Sequence, residues 1–113
     1  MSAFVTRRLP ATPDVVASDG SDVRVLAGLG SGGMAHFTLP AAQTSPAVAH
    51  RTVEEIWFVV SGRGEMWRKL GTHFQFRAHA GEPLAVIGIT MPPWPGDAEA
   101  FRVAGPWTPT VRA

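Results

Sequence analysis

The sequence predicts an all-β fold in a single domain of short antiparallel strands. Three observations carry this. Twelve Gly and ten Pro interrupt a chain of 113 residues every few positions, which leaves no room for long helices. The runs between the breaks alternate apolar and polar side chains with period two, or are continuously β-branched and aromatic. The connections have hairpin chemistry.

The elements follow in order. Val23 to Ala27 alternates. Met34 to Leu39 follows a glycine cluster; Ala35, Phe37 and Leu39 form its core face, and His36 shares the other face with Met34 and Thr38. Glu55 to Val60 is β-branched and aromatic, Glu65 to Lys69 alternates, and His73 to Arg77 places both its Phe on one face. Leu84 to Thr90 is nearly all apolar. Ser61-Gly62-Arg63-Gly64 and Gly81-Glu82-Pro83 are turns, and a short helical turn is expected near Asp97 to Ala100. Residues 1–20 and the Pro-rich residues 92–113 read as N-terminal and C-terminal arms. Trp94, in Met91-Pro92-Pro93-Trp94-Pro95-Gly96, is expected to cover a cavity mouth or to pack across a dimer, and so is Trp107.

Composition excludes several functions. Ten Lys and Arg against nine Asp and Glu leave a net charge of +1, and the bases are scattered, so no nucleic-acid footprint is visible. Cysteine is absent, which removes disulfides, thiolate ligands and a thiol nucleophile. The longest apolar run, Leu84 to Ile89, is far below the roughly 20 residues of a membrane helix, and the first 16 residues carry no signal-type apolar segment. A soluble cytoplasmic protein is the expectation, with no membrane and no nucleic-acid partner. Gly28-Leu29-Gly30-Ser31-Gly32-Gly33 fits a dinucleotide fingerprint by letter only, because a strand ended by Pro40 follows where a helix is required. A hairpin loop is the better reading.

The informative stretch is His50 to Glu65. Glu55 is followed by six residues and then Gly62, and His50 lies four intervening residues before Glu55. Here the sequence resembles the cupin superfamily, whose first motif runs G-x5-H-x-H-x3,4-E-x6-G. The motif's first His position is Val48 in this chain. Leu70-Gly71-Thr72-His73-Phe74-Gln75-Phe76 resembles the second motif, P-x-G-x-x-H-x3-N. There Gly71 fits, the ligand position is Phe74, the Asn position is Ala78, and His73 is one residue out of register. The resemblance covers Gly30 to about Pro95. It implies an antiparallel jelly-roll barrel, a small-molecule ligand and a homodimer. In cupins a further stretch separates the two motifs. Here Arg68-Lys69 runs straight into Leu70, so either the chain is a short variant or a segment between Lys69 and Leu70 is omitted, the reading favoured by two flanking strands that look intact.

His50 and Glu55 are the candidate catalytic residues and the candidate ligands of one divalent metal (Zn, Mn, Fe or Ni). Two ligands rarely suffice, so a third would come from His36, His73 or His79, and a tightly held metal is not the leading expectation. The pair can instead close the turn as a buried hydrogen bond or ion pair, or act on a ligand as acid, base or anchor. Period two puts Trp57 on the face of Glu55, with Phe74 and Phe76 opposite. Trp57, Met66, Phe74 and Phe76 are the expected walls of an apolar pocket, unless they simply fill the interior. Two functions follow: a small-molecule-binding cupin, with enzymatic action through the His/Glu pair, or a non-catalytic binding or oligomerisation protein with a packed interior.

Overall fold

The computed structural model describes residues 5–17 and 19–111. Nine strands run in the order β1 (Val15–Val16), β2 (Asp22–Leu29), β3 (Gly32–Leu39), β4 (Val48–His50), β5 (Glu54–Ser61), β6 (Gly64–Lys69), β7 (His73–Ala78), β8 (Leu84–Met91) and β9 (Ala100–Arg102), with a 3-10 turn at Asp97–Glu99. They form two antiparallel sheets, one of order β1-β2-β3-β8-β5 and one of order β6-β7-β4-β9.

Phe37, Leu39, Phe76, Ala78, Leu84 and Val86 fill the space between the sheets, with Val23, Trp57, Phe74 and Val111 packed against them. Each sheet therefore presents one apolar face inward, as the alternation required. Phe37 sets the middle of this core, 4.7 Å from the Trp57 ring and 6.4 Å from Phe76, both edge-on.

The sheets do not close into the expected barrel: β5 ends one sheet and β6 ends the other. The reason lies between β6 and β7. Lys69 pairs directly with His73, so Leu70-Gly71-Thr72 is a three-residue hairpin turn, with Gly71 and Thr72 both at positive φ. Among the described residues no further strand bridges the two edges.

Gly62 turns the chain from one sheet to the other at φ +85°, and a Cβ there would lie 1.9 Å from the Pro83 carbonyl oxygen. The glycine cluster is a tight β2–β3 hairpin, with Leu29 paired to Gly32 around Gly30-Ser31. A strand follows it, and no helix N-terminus is available for a pyrophosphate.

Both arms carry structure that the sequence did not announce. Val15 and Val16 pair with β2, and Ala100 to Arg102 pair with β4. Residues 1–4, 18, 112 and 113 of the expected arms lie outside the described residues. Trp107 neither covers a cavity nor stays free. Its N–H donates to Gln75 Oε1, its carbonyl accepts from Gln75 Nε2, and the Arg77 guanidinium lies 4.0 Å from its ring. The C-terminal segment thus straps the outer face of the four-stranded sheet. The outer face of the five-stranded sheet carries Met34, His36, Ile56, Phe58, Ile87 and Ile89 by alternation. No helix among the described residues is long and apolar enough to cross a membrane.

Candidate functional site

His50 closes β4 and Glu55 is the second residue of β5, one tight turn away. Two anchors fix this turn. Thr72, at the tip of the β6–β7 hairpin, donates its hydroxyl to the His50 carbonyl and accepts from the His50 N–H. Glu99, buried at the end of the 3-10 turn, accepts from the N–H groups of Thr52 and Val53 and from the Thr52 hydroxyl. Burial alone would raise the Glu99 carboxyl, but these hydrogen bonds outweigh it and hold it down at about 2. Glu99 is therefore a carboxylate that belongs to the loop, and it sets the spacing of His50 and Glu55.

The side chains of His50 and Glu55 converge on one cavity of about 460 Å³ between the sheets. His50 Nδ1 lies 3.7 Å from Glu55 Oε1, beyond hydrogen-bonding distance. Burial pushes the Glu55 carboxyl up to about 7; the nearby Asp19 charge adds to the rise, and a hydrogen bond to Trp57 opposes it. Burial pushes His50 down, against the pull of Glu99 and Asp19. Burial thus drives both groups toward their neutral forms, with the imidazole and the carboxyl 3.7 Å apart.

Gly88, opposite Trp57 on β8, gives Glu55 its room. A Cβ at Gly88 would lie 2.7 Å from Phe37 and 3.1 Å from Glu55 Oε2.

Among the expected pocket residues, Trp57 and Phe74 line the cavity. Phe76 lies deeper, in the packed core. Met66 is displaced altogether: β6 is an open edge, so its side chain is 41% exposed and lines no cavity. Trp94 lines the mouth, with its ring 5.1 Å from His50, and Phe74 meets His50 edge-on at 5.2 Å.

Sequence reasoning missed Asp19 and Ser21, which line the same cavity from the β1–β2 connection. Asp19 accepts from both the N–H and the hydroxyl of Ser21, and burial raises its carboxyl despite those bonds. The Asp-x-Ser spacing was the available signal, since Asp and Ser in such a loop bond their own backbone.

A resident divalent metal does not fit these residues. None of the proposed third ligands reaches the cavity. His36 is on the outer face of β3, His79 Nδ1 accepts from the Gly81 N–H outside it, and His73 is absent from its walls. Among the described residues, no three His, Asp or Glu side chains are placed to hold a metal ion.

Two solved structures are similar to this chain over nearly its whole length. One is an uncharacterized conserved protein with a double-stranded β-helix domain from Klebsiella pneumoniae, with a TM-score of 0.57 at 16% identity over 88% of this chain and 91% of that one. The other is ectoine synthase from P. lautus, with a TM-score of 0.60 at 12% identity over 93% and 94% of the two chains. The likeness shows the double-stranded β-helix fold, the fold that the resemblance to cupins implied. At such identities the likeness concerns the fold alone. No family model matches the chain, and no curated protein does. His50 and Glu55, the residues that resemble the first motif, sit at the cavity wall, and Phe74, at the ligand position of the second, supplies apolar surface there.

Proposed function

We propose that this cupin domain binds a small organic molecule in its inter-sheet cavity and moves a proton on it with His50 and Glu55. The observation that carries this reading is the continuous cavity of about 460 Å³ reaching both side chains. That size is within the range of small-molecule sites, and the lining has the usual character, mostly apolar with a few convergent polar groups. A packed, dry interior would have filled this space with side chains.

The electrostatics fit proton transfer. A carboxyl near 7 exchanges its proton at neutral pH, and a neutral imidazole beside it accepts one. A ligand between them meets a donor on one side and an acceptor on the other. The reaction class this supports is proton abstraction coupled to proton donation, as in isomerisation, elimination or cyclisation. Trp57, Phe74 and Trp94 hold the apolar body of the ligand, and Glu99 and Thr72 keep the two working groups at their spacing.

The test is a screen of small metabolites followed through the indole N–H signals of the four Trp. A ligand of this site moves Trp57 and Trp94 and leaves Trp67 and Trp107 in place. Turnover of such a ligand is expected to vanish in Glu55→Gln. A screen in which cavity and remote indoles respond alike speaks against the site.

Homodimerisation belongs to the same proposal. Ile56 and Phe58 are 56% and 66% exposed beside Ile87 and Ile89, which makes the outer face of the five-stranded sheet apolar as well. Within that face His36 Nδ1 is shielded and has no hydrogen-bond partner. A second copy stacked through a two-fold axis covers this face with its own equivalent.

A further inference from the structure

We propose that the cavity is built for an organic cation: a primary or substituted ammonium carried on a compact apolar body. This deepens the small-molecule reading and rests on it. The ionisable groups on the cavity wall are Asp19, Glu55, Asp97 and His50, three acids and one imidazole, and no Lys or Arg lines it among the described residues.

Two cations on the surrounding elements are engaged elsewhere, and a third lies beside Asp97. Arg24, on β2, donates to the carbonyls of Pro10 and Ala11. Arg51, beside His50, donates to the Ala98 carbonyl and stacks on the Phe101 ring at 4.4 Å. Arg102, on β9, lines a neighbouring hollow that shares Val15 to Ala17 and Asp97 with the cavity. Glu99, close by, is spent on its loop. Among the described residues, then, no Lys or Arg shares the cavity with Asp19 and Glu55, and Asp97 alone of its acids also borders a hollow lined by a cation, Arg102.

The walls match the same ligand. Phe74 and Trp94 pack edge-on against the imidazole of His50, and Trp57 stands edge to face with Phe74 at 5.4 Å. Aromatic faces attract an ammonium through the ring quadrupole, most strongly where water is excluded. Asp19, held in place by Ser21, and Glu55, given room by Gly88, supply the charge. An anionic ligand would meet two or three carboxyl groups and nothing positive. A neutral ligand would leave the acids as they are and gain only the apolar walls.

Ammonium binding requires Glu55 as carboxylate, and Glu55 is held up at about 7. Affinity therefore rises with pH between about 6 and 8. The charged and titratable groups near Glu55 are His50 from β4 and Asp19 from the β1–β2 connection, and Asp97 from the 3-10 turn lines the same cavity.

The test compares three probes with one body: cyclohexylamine as its ammonium, cyclohexanol and cyclohexanecarboxylate. Binding to the intact protein is read from the Trp57 and Trp94 indole signals at pH 6, 7 and 8. The ammonium is expected to bind at least tenfold tighter than the other two at pH 8, with the margin shrinking at pH 6. In Glu55→Gln and Asp19→Asn the margin falls, while the alcohol binds as before. Alcohol or carboxylate binding as tightly as the ammonium overturns the cation proposal and leaves the small-molecule cavity standing. If no probe moves the cavity indoles, both readings fail together. The wild-type comparison needs no variant, so loss of folding in a mutant does not blunt it.

Discussion

The Nδ1 of His50 stops 3.7 Å short of Oε1 of Glu55, near enough for both to touch one ligand atom and too far to satisfy each other. A turn-closing pair would be shorter and would pull both groups toward their charged forms. Here burial drives both toward neutrality. On the proposed reading the two residues meet through a ligand held between them.

Replacing Glu55 by Gln is expected to stabilise the fold while removing function. The folded carboxyl sits at about 7, above its ordinary 4.5, so the folded state prefers the proton. Its contribution is fully present below about 4.5 and is lost as pH rises through 7. At pH 8 Glu55→Gln should therefore gain ~1–3 kcal/mol over wild type in urea unfolding, with little difference at pH 4. A loss of stability at both pH values would mark the pair as structural.

Glu99 has the opposite sign. Its folded carboxyl is depressed to about 2 from 4.5, so its stabilisation is present above about 4.5 and is lost as pH falls through 2. Glu99→Gln should flatten the acid limb of the stability profile, measured by circular dichroism between pH 2 and 6. It should also weaken ligand binding at His50, because residues 51–53 lose their anchor.

Gly88→Ala is expected to cost ~1–3 kcal/mol by overpacking, since its Cβ would enter contact distance of Phe37 and Glu55 at once. Urea unfolding gives the cost. The Glu55 titration in the same variant reports whether the carboxyl is displaced. An unchanged protein would mean that the cavity has slack where the structure shows none.

Phe58→Asp places a charge in the outer apolar face of β5 without touching the cavity. Sedimentation velocity should show dimers of the wild type and monomers of this variant, both folded. A monomeric wild type at ~100 µM, a concentration well above a micromolar dissociation constant, would contradict the dimer.

Period two made the strands and their faces legible, because each strand sees one dry and one wetter side. Phe37, Leu39, Trp57 and Phe74 point inward as their alternation required. His50 and Glu55 were legible because one short turn joins them. Asp19, Glu99 and Gly88 were not, since each matters through contacts far along the chain: Asp19 near His50, Glu99 under residues 51–53, Gly88 behind Glu55. Alternation also does not say which strands pair. Met66, expected as a pocket wall, pairs with Phe76 in register, yet β6 is an open edge, so the same face is solvent at one residue and core at the other.

The most direct test of the central claim is the carbon-13 shift of the Glu55 side-chain carboxyl, followed from pH 4 to 9 and assigned by its loss in Glu55→Gln. A carboxyl sharing an apolar, unfilled cavity with His50 titrates near 7. A midpoint near 4.5, the value of a hydrated glutamate, would put this side chain in water and contradict the site.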